Sequence, residues 1–290
     1  MQSFEYFEAK SLEEVVQTLA SGEEVRVLAG GCGILLLMKQ NLYFPQALVN
    51  IKKIPGLKYI EQNNGTVRIG PLATHNEVKG TPLVEEKLPL LSEALGYVAT
   101  NRIRNMATIG GTLAHADPTS DAAPALLALE AKVVVMGSNG EQEIELAAFF
   151  KDYFETILES GEVLKEIIVP LPPETAKGFY TRFEVRKAMD KAMPGVAVLI
   201  DLAEDKKTIR TARIGISGVG NRCLRLEEAE EFLTGKEDHP DIRQKIGDII
   251  KATIDPVEEY NFTVDYKKQI AAVFLQRVFA EAYSRASSSS

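Results

Sequence analysis

Apolar positions near the start of the chain recur at helical spacing. Leu12, Val15, Val16 and Leu19 make one face, and Gly22 marks a stop. Ser11-Leu12-Glu13-Glu14 is a capping box, with Ser11 accepting the N–H of Glu14 and the Glu14 carboxylate reaching back. Residues 25–29 read as a strand that runs into a glycine turn. The apolar run 34–38 then predicts a short buried helix, and 47–51 another strand. These elements predict a small α/β lobe over residues 1–56, closed by Pro55-Gly56.

The next stretch predicts strands at 57–61 and 66–69 around Asn63-Asn64-Gly65, a hairpin signal. Helical patterns follow at 89–99 and 122–130. Strands at 132–136 and 143–146 flank the turn Gly137-Ser138-Asn139-Gly140, and the run 166–170 closes a second lobe, 57–173. Leu171-Pro172-Pro173-Glu174 is the clearest boundary. Beyond it, strands at 178–185, 196–201 and 209–217 precede helices at 226–233, 241–251 and 266–283. Strands followed by helices predict a sheet covered on one side, an α+β domain over 174–284. The stretch 285–290, with its serine run, is expected to form an unordered tail.

Composition narrows the partners. A net charge of -8 argues against nucleic acid, whose phosphates need a basic surface. Cys32 and Cys223 are too few to ligate an iron–sulfur cluster or an all-cysteine zinc ion, and their scarcity suits a reducing, cytoplasmic setting. Gln2, Ser3, Phe4 and Glu5 after Met1 do not resemble a secretory leader, and no apolar run approaches a membrane span. His75, His115 and His239 lie far apart and suggest no metal site.

Two glycine-rich bends carry the candidate chemistry. The first is Leu28-Ala29-Gly30-Gly31-Cys32-Gly33. The second opens the long segment Ala107-Thr108-Ile109-Gly110-Gly111-Thr112-Leu113-Ala114-His115-Ala116-Asp117-Pro118-Thr119-Ser120-Asp121. Glycine adopts positive φ, which costs other residues about 1–2 kcal/mol, and it lets a ligand approach the main chain. Successive bare N–H groups in such turns form an anion nest, and a helix starting there adds its dipole. Two such bends can grip a diphosphate from opposite sides, which suits a bound flavin dinucleotide better than a mobile substrate. Neither has the G-x-G-x-x-G period or a Walker lysine.

The bland alternative is that the glycines only turn the chain. Against it, at the second bend, stands the dense polar set Thr108, Thr112, His115, Asp117, Thr119, Ser120 and Asp121. Asp121 reads equally as an acceptor for ribose or ribityl hydroxyls and as a cap for a helix at Ala122, a role open to Ser120 too. Cys32 reads as a packed thiol or as an acidic one at a helix start. Arg102 and Arg104 offset phosphate charge, face a partner or, equally, are plain surface arginines, and Tyr97 and Tyr180 read first as core aromatics, with stacking near a flavin as the alternative.

Ala29-Gly30-Gly31 and the run from Ala107 through Leu126 closely resemble the FAD-binding subunit of molybdenum-containing hydroxylases, the xanthine dehydrogenase and carbon monoxide dehydrogenase medium-subunit group. The resemblance extends over residues 163–170, 182–190 and 216–220, nearly the whole chain. It implies a vanillyl-alcohol-oxidase-like FAD domain of two α/β lobes, with FAD between them, plus a C-terminal domain. It places Gly30, Gly31, Gly33, Gly110 and Gly111 by the pyrophosphate, with Ala29, Cys32, Thr108, Ile109, Thr112, His115 and Asp117 completing the cofactor-binding set. Asp121 would bind FAD hydroxyls, Leu164 would pack near the flavin or adenine, and Arg182 takes a position that is usually lysine. The chain departs from the family at Cys32 and Gly33, and at Thr112, where asparagine is usual.

The resemblance implies no catalytic acid or base in this chain. Electrons would come from a molybdenum-cofactor subunit through a [2Fe-2S] subunit to FAD, then pass to NAD+, a quinone, oxygen or another acceptor. The assembly would be a heterotrimer or a dimer of heterotrimers. Two rivals stay open: a self-contained FAD-dependent oxidase or reductase, and an FAD-free scaffold subunit.

Overall fold

Three larger sheets follow one another along the chain, with a small two-stranded one inside the second lobe, in the computed structural model, which describes residues 3–22, 24–186, 193–259 and 262–288. The first lobe runs β1 (Glu5–Glu8), α1 (Leu12–Ala20), β2 (Val25–Leu28), α2 (Ile34–Lys39) and β3 (Ala47–Asn50). Its strands are parallel in the order β1-β3-β2, which requires crossovers of the kind α1 and α2 provide. Leu12, Val15, Val16 and Leu19 are buried, as their spacing predicts. Ser11 accepts the Glu14 N–H, while the Glu14 carboxylate reaches one residue beyond the expected place, to the Lys10 N–H at 2.7 Å. The 34–38 run is helical but not the buried helix expected. Only Met38 is buried, packed with Leu28 and Leu48, and Leu36 is 53% exposed.

The second lobe begins with the hairpin β4 (Ile60–Asn63) and β5 (Thr66–Ile69). Asn64 and Gly65 both take positive φ at its turn, the geometry for which Asn-Gly is selected. Then come α3 (His75–Lys79), α4 (Pro82–Lys87), α5 (Pro89–Tyr97), α6 (Asn101–Arg104), α7 (Ile109–His115) and α8 (Ala122–Ala128). The lobe continues with β6 (Lys132–Gly137), β7 (Gly140–Glu145), α9 (Leu146–Phe149), β8 (Phe150–Asp152), β9 (Glu155–Thr156) and β10 (Val163–Pro170). A five-stranded antiparallel sheet, β4-β5-β10-β6-β7, packs with the helices around Leu91, Leu95, Leu113, Leu126, Val133 and Ile167.

The last unit is an antiparallel sheet of β11 (Lys177–Arg182), β12 (Gly195–Leu202), β13 (Ile209–Ser217) and β14 (Leu224–Arg225). It is followed by α10 (Glu227–Leu233), α11 (Pro240–Thr253) and α12 (Val264–Ser287). The sheet is not covered on one side, as expected, but on both. Val196, Val198 and Ile200 face the domain's own helices, while Ala197 and Tyr180 join the core of the second lobe. The uninterrupted apolar run 195–200 is the sequence signature of a strand buried on both faces. A Cβ at Gly215 would overlap the Pro124 carbonyl, so β13 lies directly on α8.

The tail expected from 285 onward also needs correction. Residues 285–287 continue α12, and Arg285 donates to the Gly178 carbonyl at 3.1 Å and to Glu93 at 3.3 Å. The Glu93 bond ties the end of the helix to the second lobe, and the Gly178 bond ties it to β11.

Candidate functional site

The two glycine bends meet in space. A Cβ at Gly30 would overlap the Met106 carbonyl, and one at Gly111 would lie 3.7 Å from Ala29 Cβ. Only hydrogen at the Gly30 Cα lets the first bend lie this close to Met106, while Gly111 and Ala29 stand at ordinary van der Waals spacing. Gly31 sits at φ +81°, the left-handed region that favours glycine. Gly33 lies against His115, whose Nε2 would be 2.9 Å from an added Cβ. The His115 ring in turn packs on Phe154, centroids 5.1 Å apart, at the turn between β8 and β9.

The two bends differ in what they offer. Among the described residues, no acceptor takes the N–H groups of Gly31, Cys32 or Gly33, so the first bend bares its amides. The second bend does not, contrary to expectation. Ile109 N–H donates to Ala73 O at 2.9 Å, Gly110 N–H to Pro71 O at 3.2 Å and Gly111 N–H to the Thr108 hydroxyl at 3.1 Å. Thr108 is the N-cap of α7, and residues 73–75 run antiparallel to 107–109. Gly110 serves a close approach, since a Cβ there would come within 2.5 Å of Pro71 Cβ. With its amides engaged, the second bend presents half-buried Gly111 to the first.

The polar set after the second bend divides. The Asp117 carboxylate takes both the N–H and the hydroxyl of Thr119, at 2.9 and 2.7 Å, and so closes its own turn. Ser120 accepts the Ala123 N–H and caps α8, while Asp121 makes no side-chain cap bond. Asp121 is buried and accepts from the Tyr180 hydroxyl and from Arg182 Nη1, each at 2.6 Å. Burial pushes its carboxyl above the ordinary range, against the opposing pull of Tyr180 and Arg182. Arg182 also donates to Glu184 at 2.7 Å and lies over the Tyr97 ring, whose edge meets Tyr180. The second lobe and the C-terminal domain are thereby joined through Asp121.

Leu164 is buried in the second-lobe core, paired with Val135 across β10 and β6. Arg104 supports the chain locally, donating to the Val98 and Ala99 carbonyls and to Asn76. Burial pushes the Cys32 thiol up, with a weaker downward pull from Lys52, which favours the packed reading over the acidic one. Of the segment 182–190, residues 187–190 lie outside the described residues.

Sequence reasoning set His75 aside, yet it reaches the site. It opens α3, is fully buried, and places Nε2 2.7 Å from the Thr112 hydroxyl. Thr74-His75-Asn76-Glu77 reads as a capping box, which locates the helix start but not its neighbour at 107–112.

Comparison with known proteins shows the family and the fold. Residues 2–172 match the model for the FAD binding domain in molybdopterin dehydrogenase, and residues 179–282 that for the CO dehydrogenase flavoprotein C-terminal domain. The chain is 34% identical to the carbon monoxide dehydrogenase medium chain of Hydrogenophaga pseudoflava, over 97% of this chain and 98% of that one. It is 33% identical to the 6-hydroxypseudooxynicotine dehydrogenase complex subunit alpha of Paenarthrobacter nicotinovorans, covering 98% and 96%. A solved structure of the Hydrogenophaga pseudoflava carbon monoxide dehydrogenase, lacking the Mo-pyranopterin moiety, superposes with a TM-score of 0.94 over 98% of both chains. No helix among the described residues is long and apolar enough to cross a membrane.

Proposed function

The chain belongs to the FAD-binding medium-subunit family of the molybdopterin dehydrogenases, and from that premise we propose that its two glycine bends hold FAD for electron transfer within a molybdenum hydroxylase. The observation that carries the placement is the approach of Gly30 to Met106 and of Gly111 to Ala29, beside the unengaged amides of residues 31–33. Such amides are ready donors to a diphosphate.

When bound, FAD supplies the redox chemistry that links a one-electron donor to an electron acceptor. The chain's residues bind and orient it. Gly31, Cys32 and Gly33 donate main-chain N–H groups, and Gly111 and Thr112 close the other side. Asp121, held by Tyr180 and Arg182, offers carboxylate lone pairs that hydroxyl groups can share. The proposed donor is a [2Fe-2S] subunit fed by a molybdenum-cofactor subunit. The proposed acceptor is NAD+, a quinone, oxygen or another oxidant.

Cofactor extraction from the purified chain tests the binding, with FAD expected at one equivalent. Protein free of flavin that takes up none on addition would favour a scaffold role. Anaerobic reduction tests the electron path. An iron–sulfur partner is expected to bleach the flavin absorbance. Bleaching by small organic donors alone would favour a self-contained oxidase.

A further inference from the structure

We propose that His75 is a positioning residue for the bound dinucleotide, its ring N–H holding the Thr112 oxygen so that the Thr112 hydroxyl hydrogen is free for the cofactor. The inference rests on the reading of the two bends as the FAD site.

The His75 main-chain N–H donates to the Ala107 carbonyl at 3.1 Å, which anchors the residue beside the second bend. Its ring has no solvent exposure. Nε2 is 2.7 Å from Thr112 Oγ1, while Nδ1 has no partner. Neutral imidazole carries one N–H and one bare nitrogen. Buried N–H groups without acceptors are the rarer orphans, so the proton belongs on Nε2, where Thr112 accepts it. Burial, with Arg104 nearby, keeps the ring neutral.

The tautomer decides what Thr112 can do. With its oxygen accepting from His75, its own hydrogen must point elsewhere. A threonine on a helix commonly gives that hydrogen to the carbonyl four residues back. Thr18 does so with Glu14, but Thr112 makes no such bond to Thr108. Thr112 is half-buried, one residue past Gly111, which faces Ala29, and three before His115, which faces Gly33. Its neighbours on α7 thus meet the first bend, and in this reading the free hydrogen is directed to the rim between them. A phosphate or ribityl oxygen is the acceptor chemistry it suits. Since the Gly110 and Gly111 amides are engaged, the hydroxyl supplies a donor that the second bend's main chain lacks.

FAD titration of the flavin-stripped full chain, read by flavin fluorescence, tests this. Thr112→Val should weaken binding about three- to tenfold, the worth of one hydrogen bond. His75→Ala should weaken it similarly, but add nothing in the Thr112→Val background. His75→Gln, which keeps an N–H donor, should restore affinity. Thr112→Asn should be indifferent to His75→Ala, because asparagine carries its own donors. If His75→Ala fails to fold, His75→Gln and Thr112→Val decide the matter. Nitrogen-15 NMR of the three labelled histidines should show one neutral ring protonated at Nε2.

Wild-type affinity in Thr112→Val, additive losses in the double variant, or an Nδ1-protonated ring would overturn the proposal. Gly30→Ala separates the two readings. If it leaves FAD binding unchanged, the bends are not the site and the functional reading fails. If it abolishes binding while Thr112→Val does not matter, only the role of Thr112 and His75 falls.

Discussion

The His115 ring fills the space that a side chain at Gly33 would occupy, with Nε2 2.9 Å from where a Cβ would lie. One residue from each bend thus sets the gap between them, and Phe154 packs against the ring.

Gly33→Ala should push His115 toward Phe154 and widen the gap. Overpacking of this kind costs about 1–3 kcal/mol. The expected outcome is a lower flavin-to-protein absorbance ratio after gel filtration. Adding His115→Ala should recover it, and a double variant as depleted as the single one would argue against the contact.

Gly110→Ala and Gly111→Ala should separate in effect. A Cβ at position 110 meets Pro71 at 2.5 Å, whereas one at 111 meets the Thr108 hydroxyl at 2.8 Å, an atom that can rotate away at the cost of its cap bond, about 1 kcal/mol. The first variant should lose FAD and melt earlier. The second should lose FAD with a smaller change in Tm. Circular dichroism and flavin content distinguish them, and equal Tm losses would contradict the packing argument.

Arg182→Met should leave the Asp121 carboxyl buried without its charged partner. Breaking such a pair costs about 3–5 kcal/mol. Asp121→Asn combined with Arg182→Met should recover much of that loss. Urea unfolding midpoints report both, and an unchanged midpoint in Arg182→Met would show that the pair contributes nothing.

His75 predicts an acid-side loss of stability in the FAD-free chain. Burial lowers its pKa from 6.5 to about 4. Between those values the unfolded ring binds a proton and the folded ring does not. Falling pH therefore favours the unfolded chain in that window, by up to about 3 kcal/mol. Above it both states are neutral and the slope vanishes. The comparison is between wild type and His75→Gln, unfolded in urea from about pH 7 to about pH 4.5. Parallel curves would mean that His75 contributes no pH dependence.

Gly215→Ala tests the junction between β13 and α8, where the added methyl would overlap the Pro124 carbonyl. Faster cleavage near residues 171–176 in limited proteolysis is expected, with both fragments intact. Unaltered cleavage would show that the junction yields at little cost.

Local chemistry in the sequence determined much of this protein. The helical spacing of Leu12, Val15, Val16 and Leu19, the Asn-Gly turn before Thr66 and the Pro172-Pro173 boundary each act through neighbours a few residues away. The glycines of both bends were legible for the same reason, and the long motif at 107–126 carried the family with it. Tertiary structure alone decided which N–H groups stay bare, because Pro71 and Ala73 reach the second bend from a distant strand end. It also decided that Asp121 faces Tyr180 and Arg182, that α12 continues to Ser287, and that His75 stands against Thr112. A hydrogen-bonding group shows its type in the sequence, but its partner is chosen by packing across the fold.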